Sequence, residues 1–167
     1  MSSEFLIEEW DETHPRWREF IACLEEVAPE QTPFVFGEYY RAYQPYLLVA
    51  LQRNEIVGFL RFAVQPIGLA AKCPALSLDN VQLTEAKIHA FAVHPNARGQ
   101  GIGTALQRQT IRRAKEIGCY QVASYSSYGC EANHHIKLSL GFAAQSEVHG
   151  DNKQGVYFLM PLQNSTL

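Results

Sequence analysis

Apolar positions along the chain alternate between short runs of period two and longer stretches that repeat every three or four residues. That mixture predicts strands interleaved with amphipathic helices. FLIEEW at 5–10 is short enough for a first strand. Pro15 then opens a helical stretch in which Trp17, Phe20, Ile21, Leu24 and Val27 share a face, and Pro29 stops it. A second, weaker helical segment is expected from Phe34 to Tyr43, ending before Pro45. YLLVALQRNEIVGFLRFAV at 46–64 holds two β-rich runs around Gln52-Arg53-Asn54-Glu55, which predicts a tight antiparallel hairpin at the centre of a sheet.

From Gln65 to Thr84 the pattern dissolves, with prolines and no clean period, and predicts a long connection without regular structure. Such a connection is a natural place to shape a substrate pocket. AKIHAFAV at 86–93 resumes strand character. Ile102 to Ile117 carries apolar residues at 102, 105, 106, 111, 114 and 117, one buried helix face, and Gly118 supplies its stop. CYQVASYSS at 119–127 predicts a strand and EANHHIKLSL a helix ending at Gly141; a closing hairpin passes through residues 151–155 into VYFLMPL. The order is α+β with a helix between adjacent strands in the middle of the chain.

At 167 residues this fits one domain over 1–167, and 47% apolar with 19% charged residues is an ordinary globular balance. A formal charge of −3 gives no footing for nucleic acid. The acidic start MSSEFLIEEWDE lacks the features of a secretory signal, and YLLVAL is too short to cross a bilayer, so a cytoplasmic protein without membrane attachment is expected. Cys23, Cys73, Cys119 and Cys130 show no CxxC spacing and are expected as free thiols. Cys130, His134 and His135 match no common ligand pattern, so no metal is expected. Arg112, Arg113 and Lys115 suit the carbonyl end of their helix.

The most informative segment is FAVHPNARGQGIGTAL at 91–106: a strand, a glycine-rich turn, and a helix start. Such a turn gathers unpaired backbone N–H groups at a positive helix end, and its glycines let phosphate oxygens approach closely. The nucleotide P-loop is excluded because no lysine occurs between Lys87 and Lys115. The dinucleotide fingerprint fails because, counted from Gly99, its last glycine position is Thr104. Val93-x-Pro95-x-x-Arg98-Gly99-x-Gly101-Ile102-Gly103-x-x-Leu106 instead resembles the coenzyme A motif of the GCN5-related N-acetyltransferases (GNAT family). Asn133 followed by the LGF that contains Gly141-Phe142 is similar to that family's second cofactor segment.

The resemblance implies a layered α/β/α domain with a mixed, mostly antiparallel central sheet, and transfer of an acetyl group from acetyl-CoA to an amine by direct attack. It implies that Phe91, Ala92 and Val93 offer backbone groups to the pantetheine arm. The pyrophosphate then sits on Arg98, Gly99, Gln100, Gly101, Ile102, Gly103 and Thr104, and Asn133 bonds the arm. Relatives often use a carboxylate on the strand before the turn and a tyrosine four residues before Gly-Phe. Here those positions are Lys87 and Lys137. His89, on the same strand face, is the substitute base, with Glu85 behind it. Tyr128 is the substitute acid, with Tyr125 and Cys130 as alternatives. The acceptor is an amine of a small molecule, peptide or protein, and a homodimer stays open. Two other readings keep the same turn: a sensor that binds acyl-CoA without turnover, and an acyltransferase with a longer acyl chain or a hydroxyl acceptor.

Overall fold

The computed structural model describes residues 4–38, 43–69, 72–148 and 154–162. Among these, strand pairing links β1 (Leu6–Trp10), β2 (Gln44–Gln52), β3 (Glu55–Pro66), β6 (Thr84–Val93), β7 (Gln121–Ser127), β9 (Gln154–Pro161) and β8 (Ala143–Val148), in that order, into a seven-stranded sheet. β4 (Ser77–Leu78) and β5 (Val81–Gln82) form a separate two-stranded ribbon. β6 and β7 run parallel, whereas β1–β2, β7–β9 and β8–β9 are antiparallel. A parallel neighbour requires a crossover, and the chain supplies it between β6 and β7 as α3 (Ile102–Ile117). The result is the mixed, mostly antiparallel α+β sheet that the residue pattern and the resemblance implied.

The chain forms two compact units, Met1–Ala63 with His89–Thr110, and Val64–Ile88 with Ile111–Leu167. The first is built around α1 (Trp17–Val27), whose Phe20 and Leu24, one turn apart, are both completely buried. Phe20 meets Phe59 of β3 edge-on, ring centroids 5.4 Å apart at 82°. Each such side chain contributes about 1.5–3 kcal/mol through removal from water, so this cluster fixes α1 on the strands that carry half of β6. The β2–β3 turn is Arg53-Asn54, both in the left-handed region (φ 50° and 66°). That is the geometry a two-residue hairpin needs to follow the strand twist.

The shorter helix differs from expectation. α2 spans Thr32–Phe36, starts with Pro33 in its first turn, and ends at Gly37, whose ψ of 146° leaves the helical region. Residues 39–42 of the expected segment lie outside the described residues. In the second unit, the 65–84 connection is not structureless: β4 and β5 pair across Asp79-Asn80, both left-handed (φ 50° and 64°). Strands of two residues are too short to show a period, which is why the alternation was illegible there. The closing hairpin is β8 paired with β9. Residues 151–153 of its expected turn are outside the described set, and Gly155 belongs to β9, not to the turn. Tyr125 lies so close over Gly155 that an added Cβ would overlap its ring and hydroxyl, so only glycine fits opposite that tyrosine. None of the described helices is long and apolar enough to cross a membrane.

Candidate active site

In the first unit, β6 ends at Val93 and enters a short turn of 3-10 helix, Pro95–Ala97, capped by His94, whose Nδ1 accepts the Asn96 N–H at 3.2 Å. Ala97 is buried and pins this turn. Gly99 and Gly101 follow at φ 75° and 81°, and a Cβ built on either meets nothing within 4 Å. The left-handed backbone is what requires glycine here, and the open space above it is room for a ligand atom to approach the chain. The Ala105 N–H donates to the Gly101 C=O at 3.0 Å, closing the first turn of the helix. The N–H groups of residues 101–104 therefore precede the helical ladder and converge at the positive end of a 16-residue helix with no acidic residue in its first turn. Ile102 and Leu106, both essentially buried, hold that helix end in place.

The turn's side chains are partly committed. Arg98 Nε donates to the Val93 carbonyl at 3.1 Å, so its guanidinium closes the turn that it belongs to. Gln100 Oε1 accepts from Gln52 Nε2 at 2.9 Å. Upstream, Gln31 grips Phe91 from both sides of the peptide: its Oε1 accepts the Phe91 N–H at 2.8 Å and its Nε2 donates to the Phe91 carbonyl at 3.1 Å. This is the bonding that a neighbouring strand would give, supplied by one amide. Gln31 is a residue that sequence reasoning missed, because an isolated glutamine beside Pro29 carries no pattern.

His89 is half-buried, and its Nδ1 lies 3.0 Å from Nη1 of Arg61, which is only 4% exposed. A guanidinium can only donate, so Nδ1 must be the acceptor and a neutral His89 carries its proton on Nε2. The ring's one lone pair is then held by Arg61, which takes up the atom a base would use, and a second ring proton would set two cations side by side. Arg61 had one legible signal, a charged residue inside the apolar run FLRFAV of a central strand.

In the second unit, Glu85 is 3% exposed, and its carboxylate accepts from Gln65 Nε2 at 3.0 Å and from Gln121 Nε2 at 2.9 Å. Two amides tie it into the sheet as a structural group. Lys87 donates to the Tyr157 hydroxyl at 2.9 Å and rests over the same ring, 4.1 Å from its centroid. α4 (Glu131–Ser139) lays Asn133, His134 and Lys137 onto two serines of β7. Asn133 Nδ2 donates to Ser126 Oγ at 3.3 Å, His134 Nε2 lies 3.1 Å from the same oxygen, and Lys137 Nζ donates to Ser124 Oγ at 2.7 Å. Among the described residues no donor reaches the buried Asn133 Oδ1.

Lys137 is 1% exposed, with Nζ 5.2 Å from the centre of the Phe158 ring. Burial, and secondarily the positive charge of Lys87, push its amine down to about 7. Tyr128 is exposed, and its hydroxyl bonds Ser146 Oγ at 2.8 Å. The cysteines are free thiols; burial pushes the Cys23 thiol up to about 11, and Cys130 is exposed. Among the described residues no group of three or more His, Cys, Asp or Glu could hold a metal ion.

The profile of the acetyltransferase (GNAT) family matches residues 6–136, a span that holds the whole of the β6–turn–α3 unit. No curated protein matches the chain in sequence. Among solved structures it is similar to Arabidopsis thaliana NAA60 in complex with acetyl-CoA, with TM-score 0.68 and 14% identity over 93% of this chain and 96% of that one. It is also similar to the ribosomal-protein-S18-alanine N-acetyltransferase from Escherichia coli, with TM-score 0.64 and 16% identity over 98% and 99%. A third similar structure is an aminoglycoside 6'-acetyltransferase type Ii, with TM-score 0.68 and 16% identity over 95% and 98%. At such identities these likenesses show the fold, and the profile shows the family: the chain belongs to the GNAT acetyltransferases.

Proposed function

We propose that the protein is an N-acetyltransferase that moves an acetyl group from acetyl-CoA to an amine by direct attack, in one domain formed by residues 1–167. The observation that carries this is the turn at Arg98–Thr104, where left-handed glycines open onto free space at the start of α3. Its N–H groups are the natural seat of the pyrophosphate: Arg98, Gly99, Gln100, Gly101, Ile102, Gly103 and Thr104 hold it through the backbone. Phe91, Ala92 and Val93 then border the pantetheine arm, which takes the place at Phe91 that the Gln31 amide holds. In the second unit, the buried Asn133 Oδ1, which meets no donor among the described residues, suits an amide N–H of a pantetheine, since a buried acceptor without a donor costs about 1–3 kcal/mol until one is supplied.

His89 enters as a positioning group. Its Nδ1 accepts from Arg61, and the acceptor's own proton goes to water. That division of labour favours an α-amino group, whose reference pKa near 7.7–8.0 leaves a useful neutral fraction, over a lysine-like amine near 10.4. An α-amine acceptor also agrees with the protein whose structure is named for acetylation of an alanine. Tyr128, exposed and hydrogen-bonded to Ser146 Oγ, is taken as the proton-handling group for the leaving thiolate.

Two measurements test this reading. Thiol release from acetyl-CoA is expected with amino-terminal peptides or small α-amines at neutral pH, well ahead of ε-amines. Tight cofactor binding with no turnover on any amine would instead make the protein a sensor. His89→Gln retains a donor but cannot titrate, and it is expected to keep kcat within about tenfold, whereas a general base is worth about 10²–10⁴. A loss of that larger size in His89→Gln, together with loss of the acidic limb of the pH profile, would return His89 to the role of base.

A further inference from the structure

The ribbon formed by β4 and β5 turns an apolar face to solvent. Ser77 pairs with Gln82 and Leu78 with Val81, and the Leu83 N–H donates to the Leu76 carbonyl at 2.8 Å, so Leu76 and Leu83 make the next rung toward the base. Residues paired across two strands share a face, and successive rungs alternate between faces. Leu76, Leu78, Val81 and Leu83 therefore line one side of the ribbon, and Ser77 and Gln82 the other. The apolar side is open: Leu76 is 51%, Leu78 60% and Val81 64% exposed, while Leu83 is half-buried.

This face is held, not loose. Ile67, just past the end of β3, accepts the Leu76 N–H and donates to the Leu83 carbonyl, both at 3.0 Å, and so ties both arms of the ribbon to the sheet strand. Below it the Cys73 N–H donates to the Gly68 carbonyl at 3.0 Å. Gly68 sits at φ 104°, with the Pro74 carbonyl oxygen 2.7 Å from the place of an added Cβ, so only glycine closes this stem. A two-stranded ribbon is marginal in water unless its apolar face is covered. Because this one is already set in place, covering it costs little ordering.

Charge indicates what covers it. Lys72, in the turn at the base, and Asp79, at the tip, are the only charged residues between Pro66 and Thr84. Among the described residues neither side chain forms an ion pair. Opposite charges at opposite ends of an apolar face are self-complementary under a two-fold axis, the symmetry of an isologous contact. With two ribbons face to face and antiparallel, the outer rung Leu78–Val81 of each lies on the inner rung Leu76–Leu83 of the other. Asp79 of each copy then comes within reach of the long Lys72 stem of the other. A membrane surface is matched by several basic residues around an apolar face, and this ribbon has one.

We propose that the β4–β5 ribbon is the docking surface for a second copy of this chain, packed antiparallel about a two-fold axis. The face is small beside the about 800 Å² per partner of a stable interface. The pair is therefore weak, with a micromolar Kd, and forms as the protein is concentrated.

Sedimentation over a concentration series tests this. The wild-type chain is expected to show a monomer–dimer equilibrium. Leu78→Asp sets a carboxylate into each copy's share of the apolar contact and should weaken the pair at least ~100-fold. Asp79→Lys and Lys72→Asp each put like charges at both ends of the pair and should weaken it about tenfold. Arg53 shows that a long basic side chain takes the left-handed backbone of Asp79 in this chain. Asp79→Lys mixed with Lys72→Asp is expected to regain the wild-type affinity, because both ends of the mixed dimer again join opposite charges. The variant carrying both reversals should regain it alone. A wild-type chain that stays monomeric up to about 1 mM, a dimer unaffected by Leu78→Asp, or charge reversals that restore nothing when combined would overturn the proposal.

Discussion

Gly101→Val is expected to weaken acetyl-CoA binding at least ~100-fold while the chain stays folded. The substitution acts in two ways, on different observables. At φ 81° a β-branched residue is strained, and the left-handed conformation costs a non-glycine residue about 1–2 kcal/mol. That is a loss of stability a domain of this size tolerates. The second part is local to the ligand. The open space above Gly101 becomes filled by a branched side chain, so phosphate oxygens cannot reach the N–H groups behind it. Hydrogen bonds to charged groups are worth about 1.5–3 kcal/mol each, and losing two of them exceeds a hundredfold in Kd. Gly118 gives the matched control: it is also left-handed, at φ 95°, with nothing within 4 Å of an added Cβ, but it lies at the far end of α3. Gly118→Val carries a similar strain and should leave acetyl-CoA affinity unchanged by isothermal titration. Equal losses in both variants would show that strain, and not access to the turn, governs binding.

The second large effect concerns stability. Burial lowers the Lys137 amine from 10.5 to about 7 in the folded protein. Below pH 7 both states carry the proton and the folded state bears the whole penalty. Between pH 7 and 10.5 the unfolded chain binds more protons than the folded one, so stability rises with pH through that window. The span corresponds to a penalty on the order of 3–5 kcal/mol. Lys137→Met removes it and forfeits the Ser124 hydrogen bond, worth about 1 kcal/mol. The variant is therefore expected to be more stable than the wild type by about 2–4 kcal/mol at pH 6 in urea unfolding. Its advantage should shrink toward pH 10. A variant less stable at pH 6 would mean that the ammonium has a stabilising partner in the fold.

These two sites differ in how far the sequence announced them. The phosphate turn was legible because its chemistry is carried by the backbone: glycines at fixed spacing, a strand before and a helix after, each with its own period. The same is true of α1, the β2–β3 hairpin, and α3, whose bounds of Ile102–Ile117 follow from its apolar face and Gly118. Where strands shrink to two residues, as in β4 and β5, no period exists to read, and the break at Gly37 after five helical residues leaves no mark in the apolar spacing.

The side-chain chemistry was less legible, because it depends on pairings between residues far apart in the chain. Nothing near His89 in sequence says that Arg61 will hold its Nδ1, and nothing near Glu85 says that Gln65 and Gln121 will tie its carboxylate down. Lys137 stood out as a lysine where relatives often have a tyrosine. Its burial against Ser124 and Phe158 is a property of the folded second unit alone.

The central claim is that the turn after β6 holds the phosphates of the acyl donor. A crystal structure with acetyl-CoA bound tests it most directly. The expected result is a pyrophosphate within hydrogen-bond distance of the N–H groups of residues 98–104 and the pantetheine arm at Phe91–Val93, with Gln31 released from Phe91. A pyrophosphate seated elsewhere on the chain, with this turn left as it is here, would contradict the account.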